Sequence, residues 1–160
     1  DKFLTYDETL DSIGGAIQLF RRSCFQDIGG YISLPYGGID AAAEITARMK
    51  GWKVRKFPAL KVLEHRRTGS AQMGPVRAKV REGQRMYSLG YGWLFYFLRC
   101  IFRACDRPLI IGSLALLFGY TESKLRHRPI VLPQPVVAYL KAEQWRRLKK
   151  LPAALLGFTR

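Results

Sequence analysis

The chain changes character at His65, and no other feature limits its possible folds as much. Of its 160 residues, the first 65 carry 9 basic and 8 acidic side chains. Residues 66–107 carry 9 and 2, and residues 108–160 again 9 and 2, so almost all of the net charge of +15 follows residue 65. A balanced stretch can close on its own core without reference to a partner. A stretch this basic is built to lie against something negative. The sequence therefore predicts two parts, an ordinary globular piece over 1–70 and a basic helical tail over 71–160.

The basic part is also apolar in runs. Tyr91 to Phe102 is almost wholly aromatic and aliphatic, interrupted by Arg99, and Leu109 to Tyr120 holds no charge at all. A helix that crosses a bilayer needs about 20 such residues. Neither run reaches that length, and Arg103, Asp106, Arg107 and Pro108 break the join between them. Arg99, Arg103 and Arg107 recur every fourth residue, which puts them in one stripe of a helix, with Trp93, Phe95, Tyr96, Phe97, Ile101 and Phe102 on the remaining arc. Two readings follow. The helices lie in a membrane interface, aromatic face down and basic stripe up, or they bury the apolar arc within the protein. Pro75 opens a basic helix with Arg77, Lys79, Arg81 and Arg85, and Leu140 to Leu151 reads as another, with Arg146, Arg147, Lys149 and Lys150 beside Trp145. A solvated basic face is the alternative for that last segment.

The first part reads as α/β. Residues 15–20 alternate as a strand, with Ile17 and Leu19 on one face and Gln18 and Phe20 on the other. Ser23 is expected to cap a short helical turn over 24–28, stopped by Gly29-Gly30. A loop leads to a helix over 41–50, and Trp52 to Phe57 and Leu60 to His65 alternate as two more strands. Asp40 stands where the loop Tyr36-Gly37-Gly38-Ile39 meets that helix. Such an Asp caps the helix, and it also faces whatever lies beyond the helix end.

Several chemistries find no support in the sequence. Cys24, Cys100 and Cys105 form neither a disulfide framework nor a CxxC or Cys/His zinc pattern, and they fit small buried residues in a reducing compartment. There is no phosphate-binding GxxxxGK[ST], no GxGxxG, no HExxH and no Gly-x-Ser-x-Gly. The basic residues share their segments with apolar runs too long for a nucleic-acid-binding face, so no nucleic acid is expected as partner.

In order, Gly15-Ala16-Ile17-Gln18-Leu19-Phe20-Arg21-Arg22, Phe25, Ile28-Gly29-Gly30-Tyr31, Gly37-Gly38-Ile39-Asp40, Gly51-Trp52-Lys53-Val54, Phe57-Pro58 and Val62 to His65 resemble the second half of family 2 glycosyltransferases. The ordered set carries the resemblance, since no single motif is specific. It covers residues 3–70, and residues 75–150 look like the membrane-associating tail of some members. The resemblance implies a partial GT-A (Rossmann-like) domain followed by amphipathic helices. It implies an inverting sugar transfer from a nucleotide-sugar donor to a saccharide or lipid-linked acceptor, at the cytoplasmic face of the bacterial inner membrane and against its anionic surface. Where members carry Glu-Asp, this chain has Ile39-Asp40, so Asp40 is the implied base, with Gln18, Gly38 and Ile39 on the acceptor side. His65, followed by Arg66-Arg67, matches a position near the diphosphate or the divalent ion (Mg2+ or Mn2+), which implies His65 as a metal ligand and Arg66 and Arg67 for phosphate or product contact. Family members bind the donor through an N-terminal half ending in Asp-x-Asp. That motif is missing here, so the main metal ligands are expected outside this chain, and the 160 residues alone are expected to be inactive. A basic membrane-surface or nucleic-acid-binding module without catalysis is the competing expectation.

Overall fold

The computed structural model describes residues 17–55, 57, 74–102 and 109–157, the side chains of 109 and 150–157 excepted. The chain divides into two compact units, 1–74 and 75–160.

The α/β expectation is overturned: among the described residues every regular element is a helix, and there is no strand or sheet. Residues 18–20 and 52–55 take no regular structure, and the segment expected as a strand over 60–65 lies outside the described residues. Six alternating residues are compatible with a strand but do not create one. A strand also needs a neighbour for its backbone N–H and C=O groups, and neither segment has one among the described residues. Phe20 and Trp52, the aromatic residues of those two segments, instead pack on the helices that follow and precede them.

In the first unit, α1 (Arg22–Asp27) starts after extended Arg21, with no side-chain cap, so Ser23 does not serve as one. Gly29 and Gly30 both take left-handed φ and end the helix, Gly30 N–H reaching the Phe25 carbonyl at 2.9 Å. Helix α2 (Ile39–Met49) buries an unbroken run from Ala42 to Ala47. Its small side chains let Cys24 and Ile28 of α1 close against Ala43 and Ala47, and Phe20, Phe25 and Trp52 cover that contact. Phe20, Phe25 and Tyr31 meet with ring centroids 5.3–6.0 Å apart. Glu44, buried within α2, is paired with Arg48 one turn on.

A polar latch ties the end of α1 to the segment after α2. The Asp27 carboxylate accepts from the Trp52 indole N–H at 2.8 Å and from the Lys50 ammonium at 2.9 Å. Those bonds, Lys50 first and Trp52 next, hold its pKa below the usual carboxylate range. A depressed pKa means that the latch is intact above the ordinary Asp value and is lost as pH falls through the lowered one. Trp52 fluorescence should therefore show an acid transition that Asp27→Ala abolishes.

In the second unit α3 (Pro75–Ser88) lies along α5 (Leu109–Leu125), and α4 (Trp93–Phe102) packs on α5 and on α6 (Gln134–Gly157). Pro75 suits the first turn of α3, where its missing N–H costs nothing. The core joins Met86, Tyr96, Cys100, Leu116 and Tyr120. Tyr96 and Tyr120 stack with centroids 4.7 Å apart, and the Tyr120 hydroxyl donates to the Tyr91 carbonyl at 2.7 Å. The last turn of α5 is tied by Glu122, which accepts from Arg126 at 2.9 Å, Arg128 at 2.8 Å and Gln84 of α3 at 3.3 Å.

Burial, then the nearby Tyr87, pushes the Tyr120 phenol up to about 12. Burial also raises Tyr96, with further contributions from Cys100 and Glu82. A phenol whose pKa is raised on folding stabilises the fold below its unfolded value of about 10 and loses that contribution as pH rises through the folded value. Alkaline titration followed by ultraviolet absorbance and circular dichroism should show these two phenols ionising together with helix loss, later than the exposed tyrosines.

Candidate functional site

The loop before α2 turns at Pro35-Tyr36, with the Gly37 N–H bonded to the Leu34 carbonyl at 3.2 Å. Gly37 and Gly38 follow at φ of 80° and 92°, a backbone that side-chain-bearing residues rarely adopt. Gly38 itself is the N-cap of α2, and no side chain caps the helix. Asp40 is therefore the second helical residue, not the cap that the sequence suggested. Its carboxylate has no hydrogen-bond or ion-pair partner among the described residues, and the side chain is half-buried. The helix N-terminus, with its unsatisfied N–H groups, favours a negative charge at that place.

Gln18 arrives from the other side. Its Nε2 donates to the main-chain carbonyl of Asp40 at 3.3 Å, and its Oε1 accepts from the Tyr31 hydroxyl at 3.4 Å. Gln18, Gly38, Ile39 and Asp40, all assigned to the acceptor side, thus share one corner of the first unit, with Ile39 exposed. Tyr31 belongs with them. Its ring packs on Phe20 and Phe25 while its hydroxyl orients Gln18. Gly30-Tyr31 after a helix gave the ring's place but not the partner of its hydroxyl.

No family model, curated protein or solved structure matches the chain.

His65, Arg66 and Arg67 lie outside the described residues. Among those described, no group of three His, Cys, Asp or Glu side chains could hold a metal ion. Asp40 has no second ligand beside it, so the residues described do not fit a divalent-ion site, and no step below runs through one.

The second unit has a feature that the sequence did not reveal. A cavity of about 410 Å3 opens between the α3–α4 turn, the end of α5 and the face of α6, lined among others by Tyr91, Trp93, Lys124, Lys141, Gln144 and Trp145. Gln144 is only 4% exposed although it stands among Lys141, Arg146 and Arg147 on a basic helix. The signal available was Gly90-Tyr91-Gly92, a tight turn between two helices, which lets the Gly92 N–H reach the Gln144 Oε1 at 3.0 Å.

Proposed function

We propose that this chain supplies the acceptor side of an inverting glycosyltransferase that works against an anionic membrane surface, with Asp40 as its general base. The observation that supports the reading best is the convergence of Gln18 on Asp40 across 22 residues of sequence, beside a carboxylate without a partner among the described residues. The Asp40 carboxylate takes the proton of an acceptor hydroxyl as that oxygen attacks the anomeric carbon of a nucleotide sugar. The bond from that carbon to the nucleoside diphosphate breaks on the opposite face, so the configuration inverts. One carboxylate suffices, in contrast to the paired carboxylates of glycoside hydrolysis. Gln18 and Tyr31 offer hydrogen-bonding groups to the acceptor sugar. Arg66 and Arg67 are assigned to the leaving diphosphate because guanidinium groups match phosphate oxygens.

Membrane contact rests on α5. Ile110, Ile111, Leu114, Phe118 and Leu125 are all exposed, and helical geometry gathers them on one arc of about 100°. No helix among the described residues is long and apolar enough to cross a membrane. An exposed apolar arc on a strongly basic unit suits a helix lying in the interface. The cytoplasmic face of the bacterial inner membrane is the site that the resemblance assigns.

Sugar-nucleotide turnover by the intact protein, with the anomeric configuration of the product read by NMR, tests the proposal. The expected result is an inverted product whose formation requires Asp40. Retained configuration, or full activity in Asp40→Asn, overturns it, and absence of any turnover leaves a membrane-surface module without catalysis.

A further inference from the structure

We infer that the cavity of the second unit binds the phosphate headgroup of an anionic lipid, with Lys124, Lys141 and Gln144 as its donors. The inference rests on the membrane contact proposed above and names the chemistry that would anchor it.

The hydrogen-bonding groups of the cavity are unevenly used. The Gln144 Oε1 is taken by the Gly92 N–H at 3.0 Å, which fixes the amide so that Nε2 is the free end. That Nε2 is buried and has no acceptor among the described residues. The Tyr120 hydroxyl, also in the lining, spends its proton on the Tyr91 carbonyl. Lys124 and Lys141 have no ion-pair partner among the described residues, and no Asp or Glu lines the cavity. What remains for a ligand includes three side-chain nitrogen donors, two of them charged. A buried donor without an acceptor costs free energy, and a ligand oxygen removes that cost. The complementary group is an oxygen-rich anion.

The walls say what the anion is attached to. They are mostly aromatic and aliphatic, including Phe95, Ile130 and Leu148. A cavity of about 410 Å3 is of small-molecule size, far more than a bare phosphate fills. Trp93 and Trp145, two of its lining residues, are 60% and 55% exposed, the amphipathic placement that indole rings take at the headgroup level of a membrane. Trp93 also begins an exposed stripe of α4 that continues through Phe97 and Ile101 at every fourth residue. An apolar path thus leaves the cavity along α4, which suits the hydrocarbon of a lipid and not the polar edge of a nucleotide base.

Co-sedimentation of the full chain with phosphatidylglycerol–phosphatidylcholine vesicles, and with phosphatidylcholine alone, tests this. Lys124→Gln/Lys141→Gln is compared with Arg77→Gln/Lys149→Gln, which removes the same charge from exposed helical positions outside the cavity. The expected result is binding that requires phosphatidylglycerol and falls about tenfold further in the cavity pair than in the control pair, since each basic residue near an anionic surface contributes a several-fold factor. Inorganic phosphate and a nucleoside diphosphate should fail to compete. Equal losses in the two pairs overturn the cavity assignment and leave general membrane contact standing. Competition by inorganic phosphate or the nucleotide shows a soluble anion site and overturns the lipid. Failure of the unaltered chain to bind either vesicle overturns both the cavity assignment and the membrane contact.

Discussion

Gly119→Ala is expected to lower the unfolding midpoint of the second unit by roughly 10 °C or more, followed by circular dichroism on the full chain. A methyl group at Gly119 would stand 2.0 Å from the Val80 carbonyl oxygen and 2.8 Å from the Val80 carbonyl carbon. The contact is reciprocal, because a methyl at Gly83 would stand 2.2 Å from the Leu116 oxygen and 2.8 Å from the Tyr120 nitrogen. These atoms are backbone in the middle of α3 and α5, so neither side can swing away. Two effects of the substitution oppose each other. Alanine favours the helix over glycine by about 1 kcal/mol. Forcing two packed helices apart costs about 3 kcal/mol, since every side chain along the seam then loses contact. The clash wins. Gly83→Ala should behave alike, and the double variant should cost less than the sum of the two, because helices already parted by one methyl accommodate the second. Gly74→Ala, with open space around the new methyl, should leave the midpoint unchanged.

This seam shows where the sequence stopped being readable. The helical periods, Pro75 as a start, Gly29-Gly30 as a stop and the end of a helix at residue 50 were all legible, because they are local and each has a backbone cause. Gly51 is left-handed, and the Trp52 N–H returns to the Ala47 carbonyl at 3.0 Å, as a helix-ending glycine should. Gly83 and Gly119 were not legible, since a glycine within a helical pattern reads as a weak point until its neighbour is known. The strands expected around Gln18 and Trp52 failed for a related reason. Alternation describes two faces, but pairing partners decide whether a strand exists, and those lie elsewhere in the chain. Gln144 was hidden by its setting, because an amide within a run of Lys and Arg gives no sign that it turns inward.

The candidate site was partly legible. Its residue types and the turn of two glycines before Asp40 were present in the sequence, but the role of each within the turn was not. The cap fell to Gly38, whose φ of 92° no side chain favours, and this displaced Asp40 into the first turn. That shift matters chemically. A capping carboxylate is occupied by backbone N–H groups, whereas Asp40 has no such partner among the described residues.

Asp40→Asn should accordingly reduce sugar transfer by the intact protein about 10²- to 10⁴-fold, the usual contribution of a positioned general base. The loss should fall on kcat, with KM for the donor little changed, because the proton is taken only as the bond to the acceptor forms. The substitution is well suited to separate chemistry from structure. Asparagine has the same shape, and the contact with Gln18 runs through the main-chain carbonyl of residue 40, which it retains. The Ala42 N–H still reaches the Gly38 carbonyl at 2.9 Å. Only the charge at the helix N-terminus is lost, a matter of about 0.3–1 kcal/mol, so the thermal midpoint should move by a few degrees at most. Gln18→Ala removes the tie to the Asp40 backbone and leaves the base in place, so its effect should be the smaller of the two. An Asp40→Asn protein that keeps its midpoint and its vesicle binding while losing transfer would separate the two units by function: base chemistry in the first, membrane contact in the second. One that keeps all three would remove Asp40 from the chemistry.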